Sequence, residues 1–126
     1  MKLILASKSG VRKKILNNYD IDCEVIPSNV DEDEIKVSLQ SEGADPLLIS
    51  KNLAEIKSIK VSSKKPDRLV LGADSVISLN NELISKPRSR TEALEILKKL
   101  NNSKHYLISS VCISKNGAMI WNHTDS

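Results

Sequence analysis

Apolar residues along this chain follow two rhythms, and each predicts a different element. Short runs bounded by polar turns, Leu3 to Ala6 and Cys23 to Ile26, read as strands, while Val11, Ile15 and Leu16 recur at helical spacing. The chain therefore opens as strand, polar turn, helix. Asp45 and Pro46 start a long helix, because Pro suits the first helical position, and Ile49, Leu53, Ile56 and Lys60 form one stripe along it while Lys51 and Lys57 project elsewhere. SSKKPD closes that helix. Leu69 to Leu71 then read as a strand buried on both faces, with Gly72, Ala73 and Asp74 at its end. SVISL and ELIS, joined by Asn80 and Asn81, read as a hairpin, since adjacent Asn residues tolerate positive φ. Thr91 is placed to cap a helix whose Leu94, Leu97 and Leu100 share one face. HYLISSVCIS alternates as a half-buried strand, paired through Asn116 and Gly117 with AMIWNH. The fold class this predicts is α/β, a mixed twisted sheet with helices packed on it.

Composition narrows the function without naming it. The chain has 126 residues, 40% hydrophobic and 28% charged, and reads as a single globular domain over 1–126. Aromatic content is 2%, with no Phe and one Trp, so the stacking platform of most single-strand nucleic-acid binders is missing. A net charge of +3 suits a phosphate-bearing ligand but not a duplex. Cys23 and Cys112 sit in apolar runs, where buried free thiols are expected. With neither a signal peptide nor a long apolar span, the sequence reads as cytoplasmic and without membrane or nucleic-acid partners. Two cysteines and two histidines at unrelated spacings make no zinc site.

Three stretches carry candidate chemistry. After the first strand, Ser7 and Ser9 can each cap the following helix, Gly10 allows close approach, and Arg12 and Lys13 lie in its first turn. Cations there oppose the helix dipole, which makes most sense if an anion lies between. A capped helix with a solvated basic face is the plainer alternative. Asp31, Glu32, Asp33 and Glu34 follow the second strand, as a solvated loop, as the acidic first turn of a helix, or as a place where carboxylates handle cations and phosphates. Asp74 follows two small residues, and ligands in open α/β sheets collect at carboxyl ends of strands. Taken alone, such a carboxylate more often opens a turn. Lys86 follows the hairpin's return strand, near the sheet edge.

In order, LASKSGVRK at 5–13, VDE at 30–32, LAEIK at 53–57, GADS at 72–75, SKP at 85–87 and the strand around His105 resemble the Maf family of nucleoside triphosphate pyrophosphatases, over nearly the whole chain. The resemblance implies a Maf/ITPase-like fold and hydrolysis of a nucleoside triphosphate between its α and β phosphates. It places phosphate binding on Ser7, Ser9, Arg12 and Lys13, with Ser75 also against substrate. Catalytic roles fall on Asp74 as general base and on Glu32, Lys57 and Lys86, with Glu32 and Asp74 holding a divalent cation, Mg²⁺ or Mn²⁺. Val11 stands where members acting on dTTP and UTP commonly carry Arg and those acting on 7-methyl-GTP carry Trp. Ser75 stands where they carry Thr and Gln respectively, and is closer to Thr. Family chains continue through a further segment that completes the sheet, so the resemblance implies C-terminal truncation and an exposed Trp121. It leaves open a homodimer, a nucleotide-binding or regulatory module without turnover, and an inactive fragment.

Overall fold

A computed structural model describes residues 2–7, 10–84, 89–101 and 104–126. Its elements run β1 (Leu3–Leu5), α1 (Gly10–Asn18), β2 (Cys23–Val25), α2 (Glu32–Ser41), α3 (Pro46–Ser62), β3 (Val70–Leu79), β4 (Glu82–Ile84), α4 (Arg90–Asn101), β5 (His105–Lys115) and β6 (Ala118–Asp125). The strands form one mixed sheet in the order β2-β1-β3-β5-β6, with β4 also on β3. β1 pairs in parallel with β2 and β3; β4 and β5 pair antiparallel with β3, and β6 antiparallel with β5. Asn80 and Asn81 both take positive φ (50° and 65°), as the tight hairpin between β3 and β4 requires. No helix among the described residues is long and apolar enough to cross a membrane.

β3 organises the sheet because its two edges differ. One edge pairs along its whole length with β5, from Val70↔Ser114 to Leu79↔His105. The other is shared: β1 pairs at Ile4↔Val70 and Leu5↔Leu71, whereas β4 pairs from Ile77↔Ile84 onward. Between these pairings, Gly72 to Val76 have no strand partner on that edge among the described residues. Asp74 is at the middle of that stretch. The sequence places Asp74 at the end of a strand; β3 instead continues to Leu79, and the strand that ends is its neighbour. Leu69, expected inside, is exposed, and the buried residue is Val70.

α3 covers one face of β3 and β5 by an unusual route. Besides Ile49 and Leu53, its buried side includes Ser50, Ala54, Ser58 and Ser62, four apart, which make a low ridge and bring the helix backbone onto the sheet. A Cβ on Gly72 would lie 2.3 Å from the Ala54 carbonyl oxygen and 2.8 Å from the Ser58 nitrogen. Only glycine permits that approach. Each buried hydroxyl finds a partner, as burial demands: Ser58 Oγ and Ser114 Oγ share a hydrogen bond of 2.7 Å, and Ser62 Oγ accepts from the Gly117 N–H at 3.0 Å. At the N-terminus Asp45 caps the helix by accepting from the Leu48 N–H at 2.9 Å, with Pro46 next. The ridge also turns Lys57 inward, against the expectation of a projecting lysine.

The opposite face is thinly covered. α1 and α4 form where the apolar spacing predicts them, yet neither buries a residue completely. Ser89, not Thr91, caps α4, accepting from the Glu92 N–H at 3.1 Å. β6 is an edge strand, and Trp121 on it is 50% exposed, its ring 6.1 Å from that of His123. Both cysteines are buried and free.

Candidate active site

Successive side chains of a strand point to opposite faces, so Asp74 shares the α3 side with Gly72. The close approach at Gly72 then sets α3's next inward turn against Asp74. Lys57 Nζ lies 3.3 Å from Asp74 Oδ1 and 3.4 Å from the Ala73 carbonyl oxygen, while Ser50 Oγ donates to the Asp74 carbonyl at 3.2 Å. Lys57 and Asp74 are only 7% and 6% exposed.

The third member arrives from α2. Asp31 caps that helix by accepting from the Glu34 N–H at 3.1 Å, and Lys60 Nζ donates to the carbonyl of Asn29 at 3.0 Å, tying the preceding loop to α3. The acidic run is therefore a cap and a first turn, a placement favoured by the helix dipole. Glu32, first residue of α2, brings Oε1 to 2.5 Å from Lys57 Nζ. One buried ammonium thus joins two carboxylates from two other elements.

Burial is the main force on Asp74, raising its pKa above the ordinary aspartate value. The charge and hydrogen bond of Lys57 oppose this, the charge of Glu32 adds to it, and that of Lys36 opposes it. Asp74 Oδ2 is closed to solvent and has no hydrogen-bond partner among the described residues. Its lone pairs are uncommitted, so the carboxylate is both basic and able to accept a proton or a cation.

Ser7, just beyond β1, and Arg12, in the first turn of α1, meet next to the end of β1, with Arg12 Nη1 donating to Ser7 Oγ at 2.9 Å. These groups line a cleft of about 850 Å³, together with Val76 and, from the other face of the sheet, Ser75, Ile77 and Leu107. That volume is within the range of small-molecule sites, and its ends differ: one charged, one apolar. Of the residues singled out in the sequence, Ser7, Arg12, Glu32, Lys57, Asp74 and Ser75 gather here. Ser75 is exposed, its Oγ 3.0 Å from Ser109 Oγ. Lys13 is exposed and does not line the cleft. Ser9 and Lys86 lie outside the described residues. Two contributors escaped the sequence reading. Ser50 belongs to a four-residue spacing of Ser and Ala that an eye for Ile and Leu passes over, and Lys36 follows Glu32 by one helical turn.

No cluster of three or more His, Cys, Asp or Glu residues suited to a metal occurs among the described residues. The pair Glu32 and Asp74, with its uncommitted Oδ2, nonetheless fits a hard divalent cation, which characteristically takes one or two carboxylates and completes its shell from phosphates and water.

The chain is 61% identical over 124 residues to the nucleoside triphosphate pyrophosphatase of Pelagibacter ubique, covering 98% of this chain and 64% of that protein. It is 36% identical over 123 residues to the 7-methyl-GTP pyrophosphatase of Brucella abortus, covering 98% and 62%. The chain thus spans less than two thirds of the length of these curated relatives. A solved nucleoside-triphosphatase, the dITP/XTP pyrophosphatase of Mycobacterium abscessus, superposes with a TM-score of 0.53 at 12% identity over 98% of this chain and 70% of that one, a likeness of fold. Residues 2–126 match the Maf-like protein family, and the chain belongs to that family.

Proposed function

We propose that the cleft binds a nucleoside triphosphate and hydrolyses it between the α and β phosphates, releasing a monophosphate and pyrophosphate. The observation that carries this reading is the Asp74–Lys57–Glu32 constellation: a buried carboxylate with raised pKa and an uncommitted oxygen, next to a buried cation, in a cleft with Arg12 at its mouth. Attack of water on a phosphoanhydride needs positioning and charge neutralisation more than covalent help. Asp74 takes the proton of the attacking water, Lys57 keeps Asp74 oriented and offsets its charge, and Glu32 holds Lys57 from the far side. Arg12, which donates to Ser7, brings its positive charge to the phosphate chain. Glu32 and Asp74 would hold Mg²⁺ or Mn²⁺, which supplies Lewis-acid neutralisation of the phosphates when bound. The apolar end of the cleft, with Ser75 beside it, receives the sugar and base. The family resemblance supports a phosphate-binding role for Ser9 and a catalytic role for Lys86.

The deciding experiment titrates UTP and 7-methyl-GTP with and without Mg²⁺ while assaying released pyrophosphate. Turnover of UTP that requires the metal is expected. Binding without turnover would make the chain a nucleotide-binding module, and neither would remove the nucleotide reading.

A further inference from the structure

Lys36 lies in the cleft with no ion-pair or hydrogen-bond partner among the described residues. It is four residues beyond Glu32 on α2, and residues at that spacing share a helix face, so the two side chains line the cleft one turn apart. The other cations of the cleft among the described residues, Lys57 and Arg12, both have partners. Lys57 is matched by Glu32 and Asp74, and Arg12 donates to Ser7. The half-buried Lys36 ammonium makes no hydrogen bond or ion pair among the described residues. Four carboxylates, Asp31, Glu32, Asp33 and Asp74, line the cleft against Arg12, Lys36 and Lys57. A polyanion entering such a field depends on the cations whose charge is not already neutralised at contact distance.

We infer that Lys36 is a further substrate-binding residue, contacting the phosphate chain of a triphosphate from the α2 side of the cleft. This rests on the hydrolytic reading above for the identity of the substrate but not for the contact itself. Lys36 also attracts Asp74 electrostatically, which offers a rival role acting through the carboxylate. The two separate cleanly. A phosphate contact weakens binding of any polyphosphate; an effect through Asp74 alters turnover and its pH profile while binding stays.

The test uses inorganic tripolyphosphate with Mg²⁺, measured by calorimetry, and UTP turnover on the same proteins. Lys36→Met is expected to weaken tripolyphosphate about tenfold and to raise KM for UTP by a similar factor with kcat within about twofold, while Lys36→Arg stays within about threefold of the parent. Lys64→Met, on an exposed lysine beyond the end of α3, controls for net charge and should change neither. Unchanged tripolyphosphate affinity in Lys36→Met, or a lowered kcat with a displaced pH profile at unchanged affinity, would overturn the assignment. If the parent binds tripolyphosphate without cleaving UTP, the hydrolytic reading falls while calorimetry still decides the contact. Failure of the parent to bind tripolyphosphate would overturn both.

Discussion

The two faces of the sheet are built by different physics. On the α3 face the helix backbone touches β3, small side chains fill the space, and buried polar groups other than Asp74 Oδ2 are paired: Ser58 with Ser114, Ser62 with Gly117, Lys57 with Glu32 and Asp74. On the other face, large apolar residues stay in the open. Leu107 of β5 and Leu97 of α4 are each 61% exposed. A close-packed interior holds side chains in fixed rotamers, whereas an open face leaves them free to rearrange. The groups proposed to do chemistry hang from the first face, and the apolar end of the cleft borrows from the second. Rigid acid–base groups and a forgiving pocket are thus combined in one cleft.

The sharpest test of the rigid face is Asp74→Asn. The amide keeps the shape but cannot take a proton from water, so pyrophosphate release should fall by roughly 10²- to 10⁴-fold with nucleotide binding kept within about threefold. Unchanged turnover would remove Asp74 from the mechanism. The raised pKa fixes the sign of a second effect. The folded state holds the Asp74 proton more tightly than the unfolded chain, so this residue favours folding in acid, and that contribution is lost as pH rises through the folded pKa. At neutral pH the ionised carboxylate is a cost. Asp74→Asn should therefore match or exceed the parent's stability at pH 7 and lose that advantage on acidification, read by urea unfolding across pH.

Gly72→Ala tests how the rigid face is assembled. The added methyl meets the backbone of Ala54 and Ser58, which cannot step aside as a flexible side chain would, so α3 has to lift from β3. A destabilisation of about 1–3 kcal/mol is expected, and with it a larger loss of turnover, since Lys57 moves away from Asp74. Stability falling while turnover holds would show that the Lys57–Asp74 contact is not set by this approach.

Much of this arrangement is legible in the residues, and the failures have physical causes. Asp45 followed by Pro46, and Asn80 followed by Asn81, announce a helix start and a hairpin because each needs only local backbone chemistry. Asp74's place within β3 is not local: it depends on where β1 stops, which the β3 residues do not encode. Lys57 looks solvent-facing when buried positions are sought among Ile and Leu; on α3 the contact ridge is Ser and Ala, and hydroxyls there are satisfied across the sheet by partners more than 50 residues away.

Ser58→Ala probes a single one of those pairs. It strands the Ser114 hydroxyl in a site closed to water, which should cost about 1–3 kcal/mol, whereas Ser58→Ala with Ser114→Ala should recover part of the loss because no unpaired group remains. Equal losses in the single and double variants would mean that packing, not the hydrogen bond, matters at this contact.

The smallest effect belongs to the open face, and it is the one that could dissolve the comparison. Leu97 presents its side chain to solvent from α4, and Leu94 beside it on the same helix face is 53% exposed. Replacing an exposed leucine with a polar residue removes little apolar burial, so Leu97→Gln should shift the urea midpoint by no more than the equivalent of about 0.5 kcal/mol and leave turnover alone. The cost of the same substitution inside a core would be several times larger. A loss of about 2 kcal/mol or more would show that something covers Leu97 in solution. Dilution then tells what: if the midpoint falls with protein concentration, the cover is a second copy of the chain, because only association makes unfolding concentration-dependent. A small shift at every concentration would keep the two faces as different as they look.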